Sequence, residues 1–363
     1  MSRAAQLAGT RKGQPGAAGF RACRTAVAST AIWLAGWSTL ASAEIPRAPD
    51  EPTAPIMLER QGSFLAGGTV VTRGEDTLHC DNGSVEYQIP ADARGIGLFL
   101  WHSSSAQVWQ QRWDGGQGYR DILLRRGFPV YIWDGPRVGR GNMSCEPYAV
   151  EPVIGQDQRN WVSWRFGPEP GTWFEDVQFP TGDAAAMDQA MSARYQEFDF
   201  AKNAHLEALA AAKALETIGP SVLLTNSAGG WRAMLAALAS DNVKAIVAYE
   251  PAAFVFPDGE GPQTAEGGFG PTHVPLKEFE RLTSIPIQIV WGDNTEETFW
   301  SGTVAQSREF VRVVNAHGGQ AEVLMLPSAG LEGNTHIPFA DLNNVAVADQ
   351  LTTFLEKHGL SGR

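Results

Sequence analysis

The chain has 363 residues, 43% of them hydrophobic and 19% charged, and a formal net charge of −12. This is the composition of a globular protein, long enough for one large α/β domain or two modest ones. The acidic excess argues against nucleic acid and anionic membrane as partners.

Arg3, Arg11, Lys12, Arg21 and Arg24 form a basic start with no Asp or Glu, followed by a mostly apolar run from Thr25 to Leu40 and by Ala41-Ser42-Ala43. That is the pattern of a secretory leader cleaved between Ala43 and Glu44. It predicts a periplasmic or secreted protein, with residues 44–363 as the folded domain and no stable membrane anchor after cleavage. Removing the leader takes away five basic residues, so 23 Lys and Arg face 40 Asp and Glu, a charge of −17. Two cysteines remain, Cys80 and Cys145, and an oxidising compartment predicts one disulfide between them. No Cys-x-x-Cys or His-x-x-x-His grouping suggests a metal site.

Residues 44–60 are Pro-rich and read as an extended lead-in. Gly67 to Thr72 and Ser84 to Ile89 alternate as antiparallel strands of a hairpin. The apolar runs Gly97 to Trp101 and Pro129 to Trp133 flank a helical stretch containing Asp121 to Arg126; such runs suit strands buried on both faces of a parallel sheet. Ala201 to Ile218 reads as a helix with Leu206, Leu209, Ala210 and Ala214 on one face, stopped by Gly219-Pro220. Strands at Ser221 to Leu224, Val243 to Tyr249, Ile287 to Trp291 and Glu322 to Leu326 then alternate with helices. One helix spans Thr303 to Ala316; the last has Val347, Leu351, Phe354 and Leu355 on its buried face. The alternation predicts an α/β fold with a mainly parallel sheet covered on both sides. Two stretches exceed ordinary connections, 142–200 and 251–286, and read as lid or binding loops. The first carries Trp161, Trp164, Phe166 and Trp173, as a local core, a substrate-facing surface, or both.

Ser227 lies in Leu223-Leu224-Thr225-Asn226-Ser227-Ala228-Gly229-Gly230, between a short strand and a helix. This is the layout of a nucleophile elbow, with Thr225 in place of the usual first Gly. A serine hydroxyl needs a base to take its proton, usually a His oriented by a carboxylate. Of the four downstream histidines, His317 and His358 sit at helix ends and His273 lies in the second long loop. His336, in Gly333-Asn334-Thr335-His336, follows the last strand and is the candidate base. Two positions could supply the acid, Asp293 after the strand at Ile287 to Trp291 and Glu250 at the end of the strand at Val243 to Tyr249. Spacing leaves the choice open. Negative charge developing on a substrate oxygen would need two backbone N–H groups. Ala228, at a helix start, could give one; the loop His102-Ser103-Ser104-Ser105 could give the other.

Over residues 57–358 the chain resembles the α/β-hydrolases, and within them a group of secreted bacterial esterases with a Ser–Glu–His triad. The resemblance rests on Tyr87-Gln88-Ile89-Pro90, the His102 loop, Asp134 with Gly139-Arg140-Gly141, and Trp164-Arg165-Phe166-Gly167-Pro168. It also rests on the elbow, Val247-Ala248-Tyr249-Glu250-Pro251, Gly292-Asp293 and Gly333-Asn334-Thr335-His336. It implies an α/β-hydrolase fold with N-terminal antiparallel strands and lid insertions. It also implies Ser227 as nucleophile, Glu250 as acid, His336 as base, and the N–H groups of Ser104 and Ala228 as oxyanion donors. The implied partner is a small-molecule ester, with no cofactor; a homodimer is left open. The group has a Gly and two adjacent Cys where this chain has Ser103, Ser104 and Ser105, and Asn226 also departs from it. A non-catalytic binding protein on this scaffold and an amidase or peptidase using the same triad are the alternatives.

Overall fold

The computed structural model describes residues 54–147, 151–195, 200–263, 270–296 and 298–362. The predicted leader at 1–43, with its predicted cleavage point, lies outside the described residues.

An eight-stranded sheet organises the chain. In sequence order the elements are β1 (Leu58–Arg73), β2 (Asp76–Pro90), β3 (Gly97–Trp101), α1 (Gln107–Gln110), α2 (Tyr119–Arg125) and β4 (Val130–Asp134). The long insertion contributes α3 (Gln156–Ser163) and α4 (Ala184–Ser192), and α5 (Phe200–Ile218), β5 (Ser221–Asn226), α6 (Ala228–Ala239) and β6 (Val243–Tyr249) follow. Then come β7 (Val255–Pro257), β8 (Thr272–Val274), α7 (Leu276–Thr283), β9 (Pro286–Trp291), α8 (Trp300–Ala316), β10 (Gln320–Met325) and α9 (Asn344–Lys357). The sheet order is β1-β2-β4-β3-β5-β6-β9-β10. The β1–β2 and β2–β4 pairs are antiparallel, and the other pairs of this sheet are parallel.

Period-two alternation divides each central strand between two cores. Leu98 and Leu100 of β3, with Val222 and Leu224 of β5, face the side covered by α2 and α9. Phe99 and Trp101, with Leu223, face the side covered by α5, α6 and α8. The order of strand addition reverses between β3 and β5, which are parallel neighbours although β4 and the insertion separate them in sequence. Such a switch point leaves a crevice outside the carboxyl ends of the strands.

The predicted strands all form, and the N-terminal hairpin runs well beyond its predicted ends. Two expectations are corrected. Leu209 is 62% exposed, so it does not belong to the buried face of α5. That face is built from Ala204, Ala208, Ala211 and Leu215 with Ala210 and Ala214. Small side chains bring the helix backbone close: a Cβ at Gly67 of β1 would meet Ala210 at 2.7 Å. The stretch 251–286 is also more than a loop, since it holds the parallel pair β7–β8 and helix α7.

Cys80 and Cys145 are disulfide-bonded with Cα atoms 5.1 Å apart, tying β2 to the segment after β4. Beside the bridge, Arg137 donates to both oxygens of the buried Asp81, at 2.7 and 2.8 Å. The backbone N–H of Cys145 donates to the same carboxylate at 3.2 Å. A cross-link spanning 65 residues removes much loop-closure entropy from the unfolded chain. The double variant Cys80→Ser/Cys145→Ser is therefore expected to lose about 2–4 kcal/mol of stability, read from denaturant unfolding. A variant as stable as the parent would show the bridge to be dispensable.

Candidate active site

Segments following β3, β4, β5, β6, β9 and β10 meet at the carboxyl ends of the strands. The sharpest is the turn from β5 into α6. Ser227 sits there at φ 53°, ψ −126°, a region that costs a non-glycine residue of order 1–3 kcal/mol. Three backbone hydrogen bonds hold it: the Ser227 N–H donates to Tyr249 O, and the Ser227 carbonyl accepts from Gly230 and Ala252, each at 3.0 Å. Gly229 is required by close approach, because a Cβ there would lie 2.8 Å from the carbonyl oxygen of Trp101. Thr225, in place of the other elbow glycine, is fully buried within β5 and pairs with Trp101 and Ala248. The strand accommodates its side chain.

Glu250, at the end of β6, also has a positive φ, 51°. Its carboxylate is completely buried. One oxygen, Oε2, accepts from Nδ1 of His336 at 2.6 Å. The other, Oε1, accepts from the Gly292 N–H at 2.7 Å and is paired with Nη2 of Arg165. Burial pushes this carboxyl up, but the Arg165 charge and the hydrogen bonds from His336 and Arg165 outweigh it and hold the group below its usual range. For His336, burial favours the neutral ring and prevails over the Glu250 contact, so its pKa falls below the ordinary 6.5. With Nδ1–H donated to Glu250, Nε2 is left as the basic nitrogen.

Asp293 does something different. Its carboxylate accepts from the Gly333 N–H at 2.9 Å and the Asn294 N–H at 2.7 Å. It thus pins the loop that carries His336. That loop is held again by Asp341, which accepts from the Thr335 N–H at 2.7 Å, the Thr335 hydroxyl at 2.8 Å and the Asn334 amide at 3.0 Å. The other histidines are engaged elsewhere: His273 with the carbonyl of Glu260, His317 with the Glu260 carboxylate, and His358 against Phe354.

Ser103, Ser104, Ala228, Ser227 and His336 line one cleft of about 190 Å³ with Gln156, Asn160, Trp164, Arg194, Tyr195, Asn226 and Ile337. Among the described residues no hydrogen bond joins the Ser227 hydroxyl to His336, although both line the cleft. Ala228 is the first residue of α6, so its N–H has no carbonyl one turn back to bond. The Ser104 loop is braced from behind. His102 donates from Nε2 to the buried Asp134 at 2.9 Å, and Asp134 accepts from Nε of Arg140 at 2.6 Å. Burial raises the Asp134 carboxyl, yet the hydrogen bonds from His102 and Arg140 bring it down to about 2. A larger hollow, about 550 Å³, lies beside Val243 at the other end of the sheet and contains none of these groups.

Several neighbours of the site were not assigned a role from sequence. Arg165 is one; its only signal is an arginine inside an aromatic run. Asn226 donates its amide to the carbonyl of His336 at 3.0 Å, and the His336 N–H donates to Trp164 O at 2.9 Å. Trp300 stacks on the imidazole, with centroids 4.6 Å apart. Of the four aromatics singled out in the insertion, Trp161, Phe166 and Trp173 pack against one another and Phe179, while Trp164 reaches the cleft. The aromatic run is chiefly a local core, and polar groups make up much of the cleft wall.

The architecture is shared with known structures. A bacterial esterase solved at atomic resolution superposes with a TM-score of 0.70 and 27% sequence identity, over 85% of this chain and 99% of that one. The chain has the α/β-hydrolase fold. Naproxen esterase from Bacillus subtilis aligns more loosely, with a TM-score of 0.40 and 13% identity over 83% of this chain and 92% of that one. No protein-family model matches the chain, and no curated protein matches it.

Arg165 carries the positive charge that the buried Glu250 faces. Removing one partner of a buried ion pair leaves the other uncompensated and typically costs about 3–5 kcal/mol. Arg165→Met is expected to lose stability on that scale in thermal or denaturant unfolding. Unchanged stability would mean that Glu250 is neutral in the folded protein.

Proposed function

We propose that this protein is an exported serine esterase that hydrolyses carboxylic esters through an acyl-enzyme. The observation that carries the reading is the 2.6 Å contact of His336 with the buried Glu250, in the cleft that also holds Ser227 at its strained turn. Likeness to the bacterial esterase adds support. Export is supported by the character of residues 1–43 and by the disulfide.

In this mechanism Nε2 of His336 takes the Ser227 proton as Oγ attacks the ester carbonyl. Glu250 keeps the imidazole in the right tautomer and offsets the positive charge it gains. The N–H groups of Ala228 and Ser104 receive the developing oxyanion, aided by the positive end of α6. His336 returns its proton to the departing alcohol. Water, activated by the same ring, then releases the acid and restores Ser227.

Ser227→Ala is expected to reduce turnover by roughly four to six orders of magnitude while the fold is retained. A fluorophosphonate should label wild type at Ser227 and leave the variant unlabelled. Glu250→Gln should damage turnover more than Asp293→Asn; the reverse order would move the acid role to Asp293. Catalysis requires neutral His336, whose pKa lies below 6.5. The kcat/KM profile on p-nitrophenyl acetate should therefore fall towards acid with a midpoint below 6.5, as the imidazole protonates. A decline centred above 6.5 would contradict the assigned environment. At about 190 Å³ the cleft is below the roughly 300–1,000 Å³ of typical ligand pockets. Acetyl and butyryl esters should thus be cleaved faster than decanoyl esters in a chain-length series, and an optimum at long chains would be inconsistent with this cleft.

A further inference from the structure

Among the described residues lining the cleft there is no Asp or Glu, and Arg194 is the one permanently charged side chain. A fixed cation in the working cleft of a chain with an overall charge of −12 is not explained by ester hydrolysis itself. Nothing in that mechanism needs a guanidinium at this position. Arg194 follows α4, directly before Tyr195, whose N–H donates to the carbonyl of Ser104 at 2.9 Å. The cation therefore sits in sequence and in space beside the proposed oxyanion loop.

Its hydrogen-bonding capacity is only partly used. Nη2 donates to Asp157 on α3 at 2.6 Å. The Asp157 side chain is 55% exposed, and an ion pair with so solvated a partner contributes little. Nη1 is shielded from solvent and has no acceptor, a state that is costly for a charged donor. A guanidinium in the cleft wall, 26% exposed and held by one solvated carboxylate, can receive a planar anion, above all a carboxylate. Asn160, buried at 5% exposure, and Gln156 extend the polar wall on the same side.

We infer that Arg194 selects esters that carry a second, anionic group, most simply a carboxylate, on the acyl or the alcohol part. The inference rests on the serine-esterase reading and refines it by naming the substrate class.

The test compares rigid ester pairs that differ in charge but hardly in shape. On the alcohol side these are 4-acetoxybenzoate and 4-acetoxybenzamide. On the acyl side they are 4-(phenoxycarbonyl)benzoate and 4-(phenoxycarbonyl)benzamide. The readout is the anionic-to-neutral ratio of kcat/KM, each rate normalised to hydroxide-catalysed hydrolysis of the same ester. Wild type should favour the anionic member of at least one pair by about tenfold or more, the scale of a hydrogen bond to a charged group. Which pair shows it identifies the side that bears the charge. Arg194→Gln should bring the ratio close to one. Asp157→Asn, which frees the guanidinium, should raise it.

A wild-type ratio near one in both pairs would overturn the proposal, as would a ratio that survives Arg194→Gln. A merely structural Arg194–Asp157 latch predicts that both variants change the ratio little while slowing both members, and that result would also overturn it. If wild type cleaves none of the four esters and its Ser227 resists fluorophosphonate, the esterase reading has failed and the proposal falls with it. Cleavage of both pairs without preference fails the Arg194 inference alone.

Discussion

A single buried negative charge governs the arrangement of the site. The Glu250 carboxylate has no access to water, and an uncompensated charge in that position would destabilise the fold severely. Its oxygens are shared among three partners from three parts of the chain: Arg165 from the insertion, the Gly292 N–H after β9, and His336 from the loop before α9. Gly292 must be glycine for this, since a Cβ would lie 2.9 Å from Oε1 and 2.6 Å from the Asn334 carbonyl. Neutralising the charge and assembling the site are therefore the same event. A loop that failed to arrive would leave the carboxylate unpaired.

The surrounding hydrogen bonds make the three loops interdependent. Arg165 donates from Nε to the carbonyl of Asp293 at 2.6 Å, while the Asp293 carboxylate binds the Gly333 N–H. The Trp164 carbonyl accepts from His336, and Asn226, next to Ser227, holds the carbonyl of the same histidine. Trp300 closes the ring face and donates its indole N–H to the Ser163 carbonyl at 2.7 Å. Backbone strain is concentrated here as well: Arg165, Ser227 and Glu250 all have positive φ without being glycine. Strain of this kind persists only where the surroundings over-determine it, and the crossed bonds of these loops provide that. The insertion after β4 thus supplies the counter-charge to Glu250 and also forms walls of the cleft through Trp164, Asn160 and Arg194.

Local signals carried the strands and most helices. Runs such as Gly97 to Trp101 and Val243 to Tyr249 coincide with β3 and β6 because a strand buried on both faces must be largely apolar, Lys244 near the start of β6 being the exception. Helix α5 was legible in its extent, while the buried face was misread at Leu209, which is exposed. The alanines bury because close packing against the N-terminal hairpin rewards small side chains, a demand that belongs to the partner surface and leaves no mark in helical period. The aromatics of the insertion were ambiguous, and the short pair β7–β8 was read as loop, because what they pack or pair with lies beyond the reach of local periodicity.

Sequence by itself determined the alternation of strand and helix, the turn that carries Ser227, and a short list of acids and histidines that could join it. Spacing alone could not choose between Glu250 and Asp293, because both end neighbouring parallel strands and both precede a turn; the resemblance pointed to Glu250. In the tertiary structure the Glu250 carboxylate meets His336, and the Asp293 carboxylate accepts from Gly333 and Asn294. Tertiary structure also decided that Arg165 faces the buried charge and that Arg194 enters the cleft. Hydrophobic periodicity is written in neighbouring residues and so can be read along the chain. The partner of a buried charge is set by which loops meet at a sheet end, and that depends on contacts such as the one between residues 165 and 250, far apart in the chain.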